Sequence, residues 1–475
     1  MFDSKLIELL KTLSVKELKK FTLFINSPIY NNNKKCVVFF EILKKYHPEY
    51  NHPDLNPDEL SGVLFANGKD ADVQMRGLRS QLVRLLEDFL IFTEQQANPI
   101  TQEYLLLLAL QKRGLNTQFK KKAADIAHYM DKTSYKDLNY YEQYYNFSDM
   151  IFQQKMLTDN RDIQDTGLQD LLDSIDLRYL ASKLRYTVAA IMRQDIVGEE
   201  YHHNFLEMIL EGIEKKPIFK NEYYIRLYYN FCLLLTDKHN DGHYAGLKAE
   251  FLQQIDHIPT DDARECLVAL TNFCMRKIKA GKNNYLREIF EWYKTALQRD
   301  WLIVGGFISP FHYKNITTAA LKLEEFEWAK QFIKEYATHV RADLRKSMKN
   351  YNMAALNFYL KNYDKALEYL NQTDIRDDAY DYPRIKTLFI KTYYEMNVDM
   401  SLHSILEAFR IYLTRDKALS EYNRKTYAEF INFVKKLYRV KNGRGRGPQK
   451  IAKEIAESEG VVEMQWLLEK ANELE

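Results

Sequence analysis

The sequence predicts an all-α protein built from repeated helix pairs. Its 475 residues include only 16 glycines and 10 prolines, about half of their ordinary share of roughly 7% and 5%. Between residues 100 and 440, helical patterns of about 12 to 20 residues alternate with short breaks, and no run alternates strictly between apolar and polar residues. Few turn-forming residues together with this rhythm favour stacked helices over a β fold.

Composition and charge narrow the class of protein. The chain is 46% apolar and 28% charged, so it can bury a large core and is not expected to be disordered. Its 68 Lys and Arg residues nearly balance 66 Asp and Glu residues. The resulting net charge of +2 creates no general attraction to nucleic acid or to an anionic membrane.

The cysteines and the apolar runs bear on location. Four cysteines are too few for a disulfide scaffold in a chain of this length, and none form a Cys-x-x-Cys pair. No apolar run approaches the roughly 18 residues of a transmembrane helix, and residues 1–13 read as an amphipathic helix without a cleavage site. We therefore expect a soluble, cytoplasmic protein without membrane contact. The cysteines are Cys36, Cys232, Cys266 and Cys274.

Residues 1–96 are predicted to form an N-terminal unit of four helices. Asn26-Ser27-Pro28 ends the first helix, because a proline disfavours helical geometry at the residue before it. His47-Pro48 ends the second, and Asn56-Pro57 begins the third. The fourth runs from about residue 71 to 95 and carries an apolar stripe that we expect to be buried. The stripe comprises Met75, Leu78, Leu82, Leu85, Leu86 and Phe89.

Residues 97–440 are predicted to form an array of helix pairs, of which two adjacent pairs are clearest. The first helix of each carries a large residue, a pair of packing residues and a further packing residue, and the second helix carries a small alanine where it crosses the first. The first pair has Tyr313, Ile316, Thr317, Ala320, Phe326, Ala329 and Ile333, and the second has Tyr351, Ala354, Ala355, Phe358, Tyr363, Ala366 and Leu370. This pattern resembles the tetratricopeptide repeat, which implies an α-α superhelix, or solenoid.

The chain as a whole also resembles a group of uncharacterised bacterial helical-repeat proteins with the same N-terminal unit. That resemblance implies the fold and no activity. Near the C-terminus, residues 441–450 combine Gly, Pro and basic residues with no acidic residue, which predicts a basic linker. Residues 451–475 are predicted to form one helix that caps the open end of the array, as repeat stacks require.

No local catalytic motif occurs in the sequence. The phosphate-binding loop, the dinucleotide fingerprint, His-Glu-x-x-His and Gly-x-Ser-x-Gly are all absent. Residues 237–242 resemble the start of a calcium loop, but its third position is His239 and its twelfth is Lys248 instead of a glutamate. We therefore expect no metal, no cofactor and no enzymatic activity. An enzyme with dispersed catalytic residues is a third, less favoured hypothesis.

Two aromatic features allow either a structural or a binding interpretation. Paired tyrosines suit packing between helices, which we favour, or an aromatic surface for a partner. Residues 301–310, an apolar loop, are either tucked into the array, which we favour, or offered to a partner. The tyrosines are Tyr140, Tyr141, Tyr144, Tyr145, Tyr223, Tyr224, Tyr228 and Tyr229.

The tetratricopeptide resemblance implies a binding surface. In that family the first helix of each pair lines a concave groove, and its exposed positions bind extended or helical peptides. We therefore predict a non-catalytic cytoplasmic scaffold that binds a protein or peptide partner on its concave face. The positions that correspond in this chain are Lys314, Asn315, Thr318, Lys322, Lys349, Asn352, Leu356 and Tyr359.

The alternative hypothesis is a DNA-binding transcriptional regulator whose repeats sense a partner. The last helices of the N-terminal unit resemble the trihelical part of winged-helix regulators, and Arg76, Arg79 and Arg84 lie on the fourth helix. Separately, Arg444-Gly445-Arg446 resembles a minor-groove hook, in which a slim backbone admits two arginines. The structural interpretations are an end cap for the N-terminal helices and a solvated basic linker for the Arg444–Arg446 segment. We favour both, so nucleic acid is not the partner we expect.

Overall fold

The computed structural model of the chain is all-α, as the sequence predicts. Helices make up 79% of it, and the strands among the described residues form one short hairpin. The structure describes residues 5–65, 70–97, 99–158, 167–197, 200–237, 241–373, 382–415, 419–445, 447–458 and 460–475. Within those ranges, no helix combines the length and the apolar character that crossing a membrane requires.

The chain divides into two compact units. The first comprises residues 1–183 and 208–226, and the second comprises residues 184–207 and 227–475. The boundaries drawn from the sequence, after residues 96, 440 and 450, mark changes in sequence pattern and differ from this division. Each unit is described separately below.

The first unit begins with five α-helices where the sequence analysis predicted four. They are α1 (Lys5–Thr12), α2 (Val15–Ile25), α3 (Lys34–Lys44), α4 (Pro57–Phe65) and α5 (Ala71–Ala97), with a 3-10 turn at Pro53–Leu55. The additional break, between α1 and α2, occurs where a capping box begins α2. The Ser14 hydroxyl accepts a hydrogen bond from the Glu17 N–H (3.2 Å), and the Glu17 carboxylate accepts one from the Ser14 N–H (2.8 Å). A new helix therefore starts at residue 15.

A hydrophobic core joins these five helices. The stripe predicted on α5 is confirmed, because all six of its residues are buried. Near the centre, the Phe21 ring of α2 lies 4.7 Å from the Phe40 ring of α3 and 5.2 Å from the Phe89 ring of α5. The Phe21–Phe40 pair meets edge to face, a geometry that contributes about 0.5 to 1.5 kcal/mol beyond the area buried.

Seven helices follow α5. They are α6 (Pro99–Lys112), α7 (Asn116–Asp131), α8 (Leu138–Leu157), α9 (Leu168–Val197), α10 (Leu206–Lys215), α11 (Pro217–Asn221) and α12 (Tyr223–Thr236). In the first unit, α6 packs against α5, α7 and α8. The chain enters the second unit within α9 and, after returning to the first, enters it again within α12.

The rest of the second unit is a succession of helices with one hairpin. It contains α13 (Asp241–Gln254), α14 (Thr260–Lys279), α15 (Tyr285–Gln298), β1 (Ile303–Val304), β2 (Phe307–Ile308), α16 (Pro310–Lys322), α17 (Phe326–Glu335), a 3-10 turn (Tyr336–His339), α18 (Ala342–Tyr359), α19 (Tyr363–Asn371), α20 (Tyr382–Met396), α21 (Asp399–Arg415), α22 (Glu421–Lys441), α23 (Pro448–Ala456) and α24 (Met464–Asn472). Neighbours pack in pairs, α14 with α15, α16 with α17, α18 with α19 and α20 with α21. The first helices also contact one another, α16 with α18 and α18 with α20.

The C-terminal region differs from the sequence prediction. The single helix expected over residues 451–475 is wrong, because the helices α23 and α24 are separate. Glu463, immediately before α24, has a φ of 58°, which is left-handed and cannot continue a right-handed helix. Both helices share one hydrophobic core with α18 to α22. The C-terminal region therefore packs on the preceding helices.

In the part of the chain that the structure describes, seven helices end in the same hydrogen-bonded turn. One or two residues past the end of the helix, a residue has a positive φ, and the N–H of the residue after it bonds to the carbonyl five residues earlier. The positive-φ residues are Gly114, Gly281, Asp300, Glu324, Lys361, Asn397 and Gly443. Four of these turns, after α14, α16, α18 and α20, connect the two helices of a pair. These pairs therefore share one connecting geometry, which the sequence analysis did not detect because only one of the four turns carries a glycine.

A glycine at Lys361 is expected to stabilise the protein. Lys361 is exposed and has a φ of 60°, a conformation that costs an ordinary residue about 1 to 2 kcal/mol. Part of that gain is lost because glycine makes the unfolded chain more flexible, so Lys361→Gly should raise the free energy of unfolding by about 0.5 to 1 kcal/mol. Urea denaturation followed by circular dichroism measures it. Lys365→Gly, inside α19, should instead destabilise by about 1 kcal/mol.

Candidate partner-binding surface

The eight residues predicted to bind a partner differ in accessibility. Asn315, Lys322 and Lys349 are exposed, and Thr318 and Tyr359 are partly buried. The expectation that all eight present an exposed face is wrong for the other three. Those three, which are buried, are Lys314, Asn352 and Leu356.

Two of the buried residues, Asn352 and Leu356, lie on α18, and Asn352 bonds to α16. The Asn352 amide donates a hydrogen bond to the carbonyl of Tyr313 (3.4 Å), one helix pair earlier. The Tyr313 hydroxyl in turn donates to the carbonyl of Ile333 in α17 (2.5 Å). Leu356 is buried in α18. The structure therefore gives Asn352 and Leu356 a packing role.

The third buried residue, Lys314, belongs to a cation–aromatic cluster that we call the Phe311 cluster: Phe311, Lys314 and Arg384. The Lys314 ammonium lies 4.9 Å from the centre of the Phe311 ring, and the Arg384 guanidinium lies 5.5 Å from it. Phe311 and Lys314 are on α16 and Arg384 is on α20, so residues far apart in sequence meet here. Neither cation forms an ion pair with a carboxylate of the described residues.

Near the C-terminal end of α18, the predicted binding surface contacts the protein's own C-terminal region. The ammonium of Lys391, on α20, lies 2.7 Å from the Glu463 carboxylate. The rings of Phe358 (4.7 Å), Trp466 (5.6 Å) and Tyr359 (6.0 Å) surround that ammonium. Tyr359, one of the predicted binding residues, therefore lies beside Glu463 and Trp466, and burial raises the pKa of its hydroxyl.

The Glu463 carboxylate is held in its charged form. Burial alone would raise its pKa, but the ammonium of Lys391, through charge and a hydrogen bond, more than compensates and lowers the pKa of Glu463. The charge of Lys322 acts in the same direction. Two of the predicted binding residues, Lys322 and Tyr359, are thus electrostatically coupled to this glutamate. At the Phe311 cluster, by contrast, the described residues leave the Phe311 ring 50% exposed.

The apolar loop at residues 301–310 is partly tucked and partly exposed. Trp301, Leu302 and Ile308 are buried, as the favoured interpretation predicts. Val304 and Phe307 are exposed on either side of a two-residue turn, because the loop forms the hairpin of β1 and β2. The Gly-Gly pair between apolar residues was the signal for this hairpin, and the sequence analysis did not use it.

The paired tyrosines pack inside the protein. None of the eight is exposed, so the structural interpretation is supported. In the first unit, the Tyr141 hydroxyl donates to the Glu222 carboxylate (2.9 Å), to which Lys136 also binds (3.1 Å). The Tyr141 and Tyr224 rings lie 6.2 Å apart. These contacts connect α8 to the start of α12.

The arginines of the DNA-binding hypothesis differ in burial and in the compact unit to which they belong. On α5, Arg76 and Arg84 are exposed, whereas Arg79 is partly buried and burial lowers the pKa of its guanidinium. Arg444 is exposed and belongs to the other compact unit. Arg446 lies outside the described residues.

The positions of the titratable and metal-ligating side chains bear on the question of a metal site. Among the residues that the structure describes, no cluster of His, Cys, Asp and Glu could hold a metal ion. In the calcium-like segment, the His243 ring lies 3.7 Å from the Asp237 carboxylate, and His239 is outside the described residues. All four cysteines are buried and none is in a disulfide, and burial raises the pKa of the Cys36 thiol to about 11.

Comparison with known proteins adds no assignment. No protein-family model matches the chain, and no curated protein matches it significantly. The function proposed below therefore depends on the residues of α16, α18 and α20 and their surroundings.

Proposed function

We propose that this protein is a non-catalytic, cytoplasmic scaffold of tetratricopeptide-like helix pairs that binds a protein or peptide partner. The binding surface is formed by α16, α18 and α20, the first helices of three successive pairs. It carries the Phe311 cluster and the exposed residues Asn315, Lys322 and Lys349.

Repeated packing supports the solenoid architecture. The alanines expected at the helix crossings, Ala329 and Ala366, are fully buried, as are Ala320 and Ala354 on the first helices. The contacts of α16 with α18 and of α18 with α20 are those of stacked pairs, and the shared turn geometry gives each pair the same connection. Stacking of this kind places the first helices side by side and creates an extended surface.

The observation that carries the binding proposal is the Phe311 cluster. A half-exposed phenylalanine with two cations, neither neutralised by a carboxylate of the described residues, is an incompletely satisfied surface. Aromatic and arginine side chains are enriched where proteins bind one another, because both offer large contact area with directed interactions. A purely structural role does not require the ring to be half exposed beside a partly exposed arginine.

Affinity capture from the native cell tests this proposal. A double variant, Lys322→Glu with Lys349→Glu, reverses two exposed charges on the first helices. The matched control, Lys334→Glu with Lys365→Glu, reverses two exposed charges on the second helices α17 and α19. We expect the first variant to lose a protein that the wild type and the control both retain. Identical captured proteins for all three would contradict this surface as the binding site.

The DNA-binding alternative leads to a separate prediction. We expect no sequence-specific duplex binding, because the net charge is near zero and the arginines are dispersed. Any non-specific retention near about 50 mM salt should vanish by about 200 mM, since it depends on the release of condensed counterions. It should also be lost in the Arg444→Ala, Arg446→Ala variant. A salt-resistant complex with one DNA sequence that requires Arg76 or Arg79 would favour the regulator instead.

A further inference from the structure

The hairpin before α16 exposes large apolar side chains. Val304 is 63% exposed and Phe307 is 46% exposed, and Phe311, four residues further on, is 50% exposed. Four residues of chain span at most about 14 Å, so these three side chains originate close together. Soluble proteins rarely expose several large apolar side chains together, and such a group typically marks an interaction site.

The hairpin is held rigidly in spite of this exposure. Gly305 and Gly306 have φ values of 58° and 85°, the pair of left-handed conformations that a tight two-residue hairpin needs. The Arg264 guanidinium donates hydrogen bonds to the carbonyls of Trp301 (2.6 Å) and Ile303 (3.0 Å). On the other side, the His339 ring lies 3.1 Å from the carbonyl of Gly306. These contacts hold the apolar tip of the hairpin in one geometry, which lowers the conformational entropy lost when a partner binds.

The positive charges beside this tip favour a partner segment with an acidic side chain. Lys314 and Arg384 flank Phe311 and have no carboxylate partner among the described residues. Lys314 is buried and Arg384 is partly exposed, so an incoming Asp or Glu would meet the Arg384 guanidinium, whose fork can hold a carboxylate through two parallel hydrogen bonds. A basic segment would be repelled, and a neutral one would leave both charges without a counter-ion. The adjacent apolar tip favours a large apolar side chain in the same segment.

We propose that the tip of the hairpin, together with the Phe311 cluster, docks a short segment of another protein that carries a large apolar side chain next to an acidic one. This inference rests on the proposed scaffold function and names the chemical class of its partner. Val304, Phe307 and Phe311 supply the apolar contact, and Arg384 binds the carboxylate, with the positive charge of the buried Lys314 on the same ring.

A peptide array tests the proposal with the full-length chain. The probe is a set of ten-residue peptides of randomised sequence, and the labelled wild-type protein is expected to retain peptides enriched in Asp or Glu beside Leu, Ile, Phe or Trp. The best peptide is then titrated by fluorescence anisotropy. Phe307→Ser and Arg384→Glu should each weaken its binding at least about fivefold, the loss typical of an important interface residue. Changing the Glu of the peptide to Gln should do the same.

Matched control variants separate this site from general effects of hydrophobicity and charge. Met400→Ser removes an exposed apolar side chain from α21, and Lys365→Glu reverses an exposed charge on α19. Both should bind the peptide like the wild type. Val304→Ser is a second variant that removes an apolar side chain from the tip. Circular dichroism verifies that every variant is folded.

Several outcomes would overturn the proposal. Peptides whose binding requires Lys322 and Lys349 but ignores Phe307 and Arg384 would refute it while leaving the scaffold function intact. Retention of no peptide by any variant would count against both. If peptides bind only after Asp377, Asp378 and Asp381 are changed to Asn, the occupant is the chain's own acidic segment. Self-association in sedimentation that Phe307→Ser abolishes would identify a second copy of the chain instead.

Discussion

Replacing Ala329 or Ala366 with leucine is expected to lower the free energy of unfolding by about 1 to 3 kcal/mol, because three extra heavy atoms must fit into a filled helix crossing. Both alanines are fully buried on the second helices of their pairs, where α17 meets α16 and α19 meets α18. The added side chain would have to enter the buried contact between the two helices. Urea denaturation followed by far-UV circular dichroism measures the loss.

The matched control is Ala342→Leu, at the exposed start of α18. Leucine there adds the same atoms without entering the core, so we expect a change within about 0.5 kcal/mol. If the two buried substitutions are as neutral as the control, the helices do not cross closely at the alanines. The tetratricopeptide-like register would then be wrong, and with it the assignment of α16 and α18 as first helices.

Much of the fold could be predicted because helical periodicity and proline positions are local signals. The stripe on α5 and the end of α2 near Pro28 are read directly from the sequence. The break between α1 and α2 was missed although Ser14-x-x-Glu17 is a recognised helix start, because the apolar spacing continues across it. The break before α24 depends on the left-handed backbone of Glu463, for which no residue type gives a warning.

The binding surface was harder to predict, because it depends on contacts between distant residues. The tetratricopeptide resemblance placed Lys314 on an accessible face, but the residue is buried and its ammonium lies against the Phe311 ring. Arg384 was missed because only the packing of α20 brings it to Phe311, more than seventy residues earlier. Likewise, nothing local indicates that Glu463 would meet Lys391. A repeat pattern predicts the helices that form a surface, and tertiary packing decides which of their residues remain accessible.

Removing the carboxylate of Glu463 is expected to destabilise the C-terminal part of the second unit. Lys391 is only 6% exposed, and Glu463→Gln would leave its ammonium without an anionic partner. Breaking a fully buried pair costs about 3 to 5 kcal/mol, but the Glu463 side chain is 35% exposed and the aromatic rings around Lys391 also favour the cation. We therefore expect a loss of about 2 kcal/mol in the free energy of unfolding. Glu469→Gln, an exposed carboxylate on α24, is the control and should be nearly neutral.

A double variant and the pH dependence test whether the charge itself matters. Lys391→Met with Glu463→Gln removes both charges, so it should be more stable than Glu463→Gln alone. Because the pKa of Glu463 is lowered in the folded protein, the pair contributes its full stability above the ordinary glutamate pKa of 4.5 and loses it as the pH falls through the lowered value. The difference between wild type and Glu463→Gln should thus be constant at neutral pH and shrink below about pH 4. A difference that persists in acid would show that Glu463 acts through packing, without a charged contact to Lys391.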